Sequence, residues 1–319
     1  MRKGLIFKKG IIIALAATMV TSLAPALGAS GRGVINAKAE ETTTGIIPKY
    51  LKMGLISIID NGELQDDGIS GNDDTIYQGT NWYYDITNNQ LVLDSASISG
   101  NILSMDGDLA IILSGENTMN SREMIQSVLM DGQIEHTLEI NGNNYNGSLS
   151  CGIINTGNYS STNNNLKIIG ATLETLGIDC GDGLTIQNSH IVVNNADKSD
   201  AISGKDINIT NSYVDAKTIN TYGYGKAIDS DQKISVSDSQ IVAESSVDSE
   251  ENILSDCDFN NSIITKKWRD ADTGDDVTKT YVYGTAALKE DLTIASGESI
   301  EFQASPIWIS LLLKMVPQF

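Results

Sequence analysis

An all-β fold, a right-handed parallel β-helix with coils of about 25 residues, is predicted by three observations. A six-residue phrase (apolar residue, free position, Asn or Asp, Ser, free position, β-branched apolar residue) occurs four times, with its Asn or Asp at Asn188, Asn211, Asp238 and Asn261. Weaker copies of its strand lie around it, at Leu109-Ala-Ile111, Leu138-Glu-Ile140, Leu166-Lys-Ile168 and Leu292-Thr-Ile294. Helical periodicity is almost absent, and only Ser121–Met130 has the composition of a short helix. Units this short cannot bury a core singly, so they stack and set equivalent residues in rows. A β-sandwich is the alternative, but its strands have no reason to repeat one phrase in register.

Taken in order, residues 1–39 have basic residues, an apolar run over Ile11–Leu27 and Ala37-Lys-Ala39, the pattern of a secretory signal peptide. Residues 40–78 form an acidic lead-in and cap, and 79–304 the β-helix domain. Within the domain each coil supplies an Ile ahead of a Gly, Asp or Ser corner, as in Ile178-Asp-Cys180-Gly, Ile202-Ser-Gly-Lys and Ile228-Asp-Ser-Asp, and then the Leu/Ile-x-Ile/Val strand. The Asn or Asp of the phrase marks the next corner, where its side chain accepts backbone hydrogen bonds and its backbone tolerates a turn conformation. Residues 305–319 abandon the pattern, and their apolar stretch is too short for an ordinary transmembrane helix. No membrane span is expected in the mature chain.

Charge narrows the function. The chain has 21 Lys and Arg against 41 Asp and Glu, a net of −20. The first 39 residues hold six of the basic residues and no acid, so the mature chain is more acidic still. Nucleic acid is excluded as a partner, because phosphate binding needs clustered Lys and Arg. Cys151, Cys180 and Cys257 make no complete disulfide framework and have no metal-knuckle spacing. Cys151 and Cys180 stand about one coil apart, which allows stacking or a bond between them; buried thiols in a core row are the alternative.

The succession Trp82-Tyr83-Tyr84-Asp85, Asn89-Gln-Leu91-Val-Leu93, Gly107-Asp-Leu109-Ala-Ile111 and Gly115-Glu-Asn117-Thr118 resembles the opening of a family of exported bacterial carbohydrate-binding domain-containing proteins. The likeness runs from about Gly79 to Gln303. It implies a scaffold similar to polysaccharide lyases, binding of plant cell-wall or other acidic polysaccharides at the cell surface or outside the cell, and calcium held in acidic loops.

The residues themselves offer three chemistries. For metal, Asp179 and Asp182, then Asp197, Asp200 and Asp206, then Asp229 and Asp231 fall at related corners of three units, and stacked carboxylates are relieved by a cation such as calcium or by water. Asp270-Ala-Asp272-Thr-Gly274 lacks the geometry of a calcium loop. For sugar, Tyr213, Tyr222 and Tyr224 lie near the Asp-rich units and offer ring faces, whereas Trp82, Tyr83 and Tyr84 read as a hydrophobic cap. For catalysis by a calcium-dependent lyase, Lys198, Lys205 and Lys226 are the candidate bases; His136 and His190 sit in no nucleophile motif, and Arg122 and Arg269 are the only arginines after residue 39. Non-catalytic polysaccharide binding leads, a lyase follows, and a structural adhesin is third.

Overall fold

The computed structural model describes residues 46–65, 76–129, 135–143, 146–157, 164–195, 199–219, 225–246, 250, 253–292 and 298–303. The expected signal peptide, the tail 305–319, Asp197, Lys198, Tyr222 and Tyr224 lie outside them.

Alternating apolar residues build three parallel walls, and the chain visits them in turn to make a β-solenoid of about eight turns. The first wall stacks Ile102–Met105, Ile125–Val128, Ile153–Asn155, Gly177–Asp179 and the beginnings of Ile202–Thr210 and Ile228–Ser237. The second stacks Gln90–Asp94, the start of Leu109–Met119, His136–Asn141, Asn164–Ile169, Gly183–Gln187, the ends of Ile202–Thr210 and Ile228–Ser237, and Cys257–Asn260. The third stacks the end of Leu109–Met119, Gly147–Ser150, Thr172–Thr175, His190–Asn195, Tyr213–Thr218, Gln240–Ser245 and Ile263–Arg269. The registers place Leu109, Leu138, Leu166, Leu184, Ile207 and Ile234 in one file, all at most 2% exposed. Each such side chain contributes about 1.5–3 kcal/mol by leaving water. Among the described residues no helix is long and apolar enough to cross a membrane.

The repeated phrase forms the corner between the second and third walls. Gly170, Asn188, Asn211, Asp238 and Asn261 stand one above another with φ of 59°, 49°, 49°, 50° and 47°, a left-handed conformation that Gly, Asn and Asp adopt most readily. The following serines turn inward and are at most 2% exposed. Each hydroxyl donates to the carbonyl two residues back: Ser189 to Gln187 (2.8 Å), Ser212 to Thr210 (2.8 Å), Ser239 to Ser237 (2.6 Å) and Ser262 to Asn260 (2.7 Å). Each also accepts the amide of the coil before, Ser189 N to Ser212 Oγ (3.1 Å), Ser212 N to Ser239 Oγ (3.1 Å) and Ser239 N to Ser262 Oγ (3.2 Å). The roles within the phrase are therefore divided: Asn or Asp supplies the turn, and Ser, rather than Asn, accepts the amides that tie one serine corner to the next. Earlier in the stack Asn117, 1% exposed, does the same work by accepting from Ala96 N (2.8 Å) and donating to Ser114 O and Ser148 O.

Both ends of the stack are closed by antiparallel strands. At the first end Tyr50–Met53 pairs with Ile102–Met105, and Trp82–Asp85 with Gln90–Asp94. Trp82 and Tyr84 are buried, and the Tyr84 hydroxyl donates to Asn89 Oδ1 (2.8 Å), as expected of a cap. At the other end Asp276–Tyr283 pairs antiparallel with Ile263–Arg269 and Ser299–Gln303 lies beyond it. There the inward file turns polar, as Lys279 Nζ (2.7 Å), Lys266 Nζ (3.8 Å) and the Tyr281 hydroxyl converge on Glu250. Burial opposes the Glu250 charge, but these partners together hold its carboxyl below the usual range.

Three expectations are corrected. Ile125–Val128 is a strand with Ile125 and Ser127 inward, because alternation wins over the helical composition of 121–130. Cys151 and Cys180 are free and buried but lie at different corners, Cys151 beside Glu174 on the third wall and Cys180 beside Thr156 after the first. Leu292 is not in a strand, and Thr293 and Ile294 lie outside the described residues.

Candidate functional site

Strand pairing sorts the outward side chains of the third wall into files. The file nearest the serine corner is Thr172, His190, Tyr213 and Gln240. Residues 284–292 leave the last antiparallel strand and lie along this file as a strap. Thr285 N donates to Asn261 Oδ1 (3.2 Å), Lys289 N and Glu290 N both donate to Gln240 Oε1 (2.8 and 2.9 Å), and Lys289 Nζ reaches Asn211 Oδ1. Glu290 Oε1 stands 3.3 Å from His190 Nδ1, and the His190 ring packs on Tyr213 with centroids 4.7 Å apart. Gln240 points outward yet is only 1% exposed. Burial, with Asp215 and Glu290 nearby, pushes the Tyr213 hydroxyl up to about 12. Tyr213 is thus half covered by the chain's own strap, which leaves less of its ring for a sugar than an open loop does.

The file at the far edge of the third wall is Asn194, Lys217, Glu244, Lys267 and Thr278. From Lys217 to Thr278 it forms one lip of an open groove of about 470 Å³. Arg269 and Asp276 stand at its end, Ile219, 55% exposed, at its other side, and Trp268 behind it with Lys279 Nζ 5.3 Å from the ring centroid. Lys217 and Glu244 form an ion pair, and Lys267 makes none among the described residues. Ser246 and Thr278 add hydroxyls, whereas those of Thr218 and Ser245 are buried and donate to Ser199 O (3.0 Å) and Gly225 O (2.5 Å). Neighbouring strands are about 4.8 Å apart, so the lip offers ammonium, carboxylate, ammonium and hydroxyl at regular steps along the axis. Half-exposed ion pairs of this kind are worth at most about 1 kcal/mol, so Lys217 and Glu244 can turn to a ligand at little cost. Tyr222 and Tyr224 belong to the stretch 220–224 that follows Ile219 in sequence.

The groove was hidden from sequence reading because its members lie in three coils and a reversed strand. A signal exists nonetheless. Asn194, Lys217, Glu244 and Lys267 each stand five residues after the serine of a phrase, at Ser189, Ser212, Ser239 and Ser262.

Asp197 aside, which lies outside the described residues, the candidate metal residues lie on the first wall and its edges, and they do not converge. Its outward file reads Gln126, Asn155, Asp179, Ser203 and Asp229. Asp179 accepts from Asn155 Nδ2 (3.2 Å) and Ser203 Oγ (3.0 Å), and Asp229 from Lys226 Nζ (2.5 Å) and the Ser255 hydroxyl. Carboxylates alternate with neutral donors, so Asp179 and Asp229 are two strand spacings, about 10 Å, apart and need no cation to relieve them. Asp182 Oδ1 pairs with Lys205 Nζ (3.2 Å), Asp206 lies beside Gly183 and Lys233, and Asp231 is exposed. Asp200 Oδ1 accepts Lys226 N (2.6 Å), and burial, the main cause, raises its pKa. Among the described residues no three Asp, Glu, His or Cys side chains come together as metal ligands. The residues described thus do not fit calcium as a set. Lys205 and Lys226, the described candidate bases, are each occupied by a carboxylate. Asp270-Ala-Asp272-Thr-Gly274 is a hairpin turn whose Asp270 Oδ1 accepts Asp272 N and Thr273 N.

Comparison with protein-family models, curated proteins and solved structures gave no match.

Proposed function

We propose that the chain is an exported, non-catalytic polysaccharide-binding protein whose ligand lies along the solenoid axis in the groove at the edge of the third wall. The observation that supports this reading is the groove itself, where alternating ammonium, carboxylate and hydroxyl groups recur at strand spacing over four neighbouring strands. Such a series matches a long polyhydroxylated chain, each unit of which offers donors and acceptors at a regular repeat. The ligand's own charge then matters. A net of −20 repels a polyanion over a screening length of roughly 10 Å at 0.1 M salt, so an acidic glycan binds better when salt or a divalent cation screens that field.

The test is a glycan array probed with the protein in calcium and in chelator, repeated with Lys217→Ala/Lys267→Ala, and followed by an assay for unsaturated uronates on every hit. The expected result is retention on extended glycans that the double variant loses, with no new absorbance. Retention unchanged in the variant removes the groove, and unsaturated products replace binding with lyase chemistry.

A further inference from the structure

We infer that the corner between the first and second walls holds a short internal file of ordered water, bound by Ser104, His136 and Asn164. These three side chains point inward and are 0%, 4% and 1% exposed. Ser104 Oγ, His136 Nδ1 and Asn164 Oδ1 are fully enclosed and have no hydrogen-bond partner among the described residues. Pairing puts them in one place: Ser104 is opposite Ser127, Ser127 O accepts Asn164 Nδ2 (3.2 Å), and His136 is opposite Asn164. They occupy three successive coils, so Ser104 and Asn164 are about 10 Å apart along the axis with His136 between them.

Enclosed polar atoms in folded proteins are nearly always hydrogen-bonded, and where protein partners are missing, ordered water supplies them. The chemistry of the three selects water. The amide oxygen takes a donor, the hydroxyl takes either, and Nδ1 takes one or the other according to tautomer. Water alone among common ligands serves all three in either tautomer. A cation finds no free carboxylate here, because Asp108 Oδ1 accepts Thr137 N (2.7 Å) and its Oδ2 accepts Ile46 N (2.9 Å). One molecule joins Ser104 Oγ to His136 Nδ1, and a second joins that water to Asn164 Oδ1. One further coil on, the Cys180 thiol fills the same corner against Thr156 Oγ1 (3.4 Å) and Gly183 O (3.3 Å), and the file stops there.

The decisive experiment is a high-resolution crystal structure of the full chain, paired with His136→Phe and Asn164→Leu variants and with water-to-protein cross-peaks in solution NMR. Ordered water within hydrogen-bond distance of all three atoms, reduced in each variant, is the expected result, and long-lived water cross-peaks at the His136 ring support it independently of crystallisation. A dry corner in which His136 Nδ1 bonds directly to Ser104 Oγ or Asn164 Oδ1 overturns the inference, as does an NMR spectrum with no long-lived water at His136.

Discussion

Replacing Ser212 by Ala isolates the physics of the repeated corner. The hydroxyl is 1% exposed, donates to Thr210 O at 2.8 Å and accepts Ser189 N at 3.1 Å. In the variant Thr210 O keeps a donor, Asn188 N at 3.1 Å, whereas Ser189 N loses its acceptor inside the stack. An orphaned buried amide costs about 1–3 kcal/mol and the lost oxygen leaves little cavity, so the expected loss is about 2 kcal/mol. Ser239→Ala orphans a different amide, Ser212 N, and because the two serines share one network the double variant's departure from the sum measures their coupling. The assay is urea unfolding followed by far-UV circular dichroism, with the midpoint falling and the slope unchanged. Asn208→Ala, an exposed change one strand away, serves as the control and should stay within about 0.5 kcal/mol. A Ser212→Ala midpoint equal to that of Asn208→Ala would refute the claim that the serine file is what ties coil to coil.

Other expectations follow from the same geometry. At Asn211, with φ of 49°, Asn211→Gly should be nearly neutral while Asn211→Val should lower the stability read from urea unfolding by about 2 kcal/mol, because a β-branched side chain is strained in the left-handed region. Glu250 has a pKa below its ordinary 4.5 despite burial, so its contribution to stability is full above about pH 4.5 and is lost as pH falls through the depressed folded value; Glu250→Gln should flatten the thermal-stability profile in that acid range and nowhere else. Burial pushes the Cys151 thiol up to about 12, so iodoacetamide at pH 8 should leave it unmodified in the native chain and alkylate it promptly in urea, as read by mass spectrometry.

Much of the fold was legible because the periodic signal and the structural cause coincide. The strand starts at Leu109, Leu138, Leu166, Leu184, Ile207 and Ile234 fall in one register, and the Asn or Asp of each phrase takes the left-handed corner that its side chain tolerates. Within the phrase, Asn and Ser have similar hydrogen-bonding repertoires, so composition could not assign which one faces inward; only wall geometry does. Corners of unequal length hid the rest. Cys151 and Cys180 are 29 residues apart, close to one coil, yet a 28-residue step followed by an 18-residue step sets them at different corners. The acidic residues were read as a stacked row because spacing does not reveal that Asn155, Ser203 and Ser255 alternate with Asp179 and Asp229. The strap over Tyr213 and the groove beyond Lys217 depend on the reversal at Asp270–Gly274, after which no repeat predicts what packs where.

The proposal divides the molecule: the repeated phrase builds the scaffold, and the edge of the third wall is the proposed ligand site. It is tested most directly by titration calorimetry of the strongest glycan hit against the native chain, Lys217→Ala/Lys267→Ala, and Asp179→Asn on the first wall. The groove variant should bind about 10-fold more weakly or worse, about 1.4 kcal/mol, with its urea midpoint unchanged, and Asp179→Asn should bind as the native chain does. Native affinity in the groove variant together with lost affinity in Asp179→Asn would contradict it and move the site to the acidic file of the first wall.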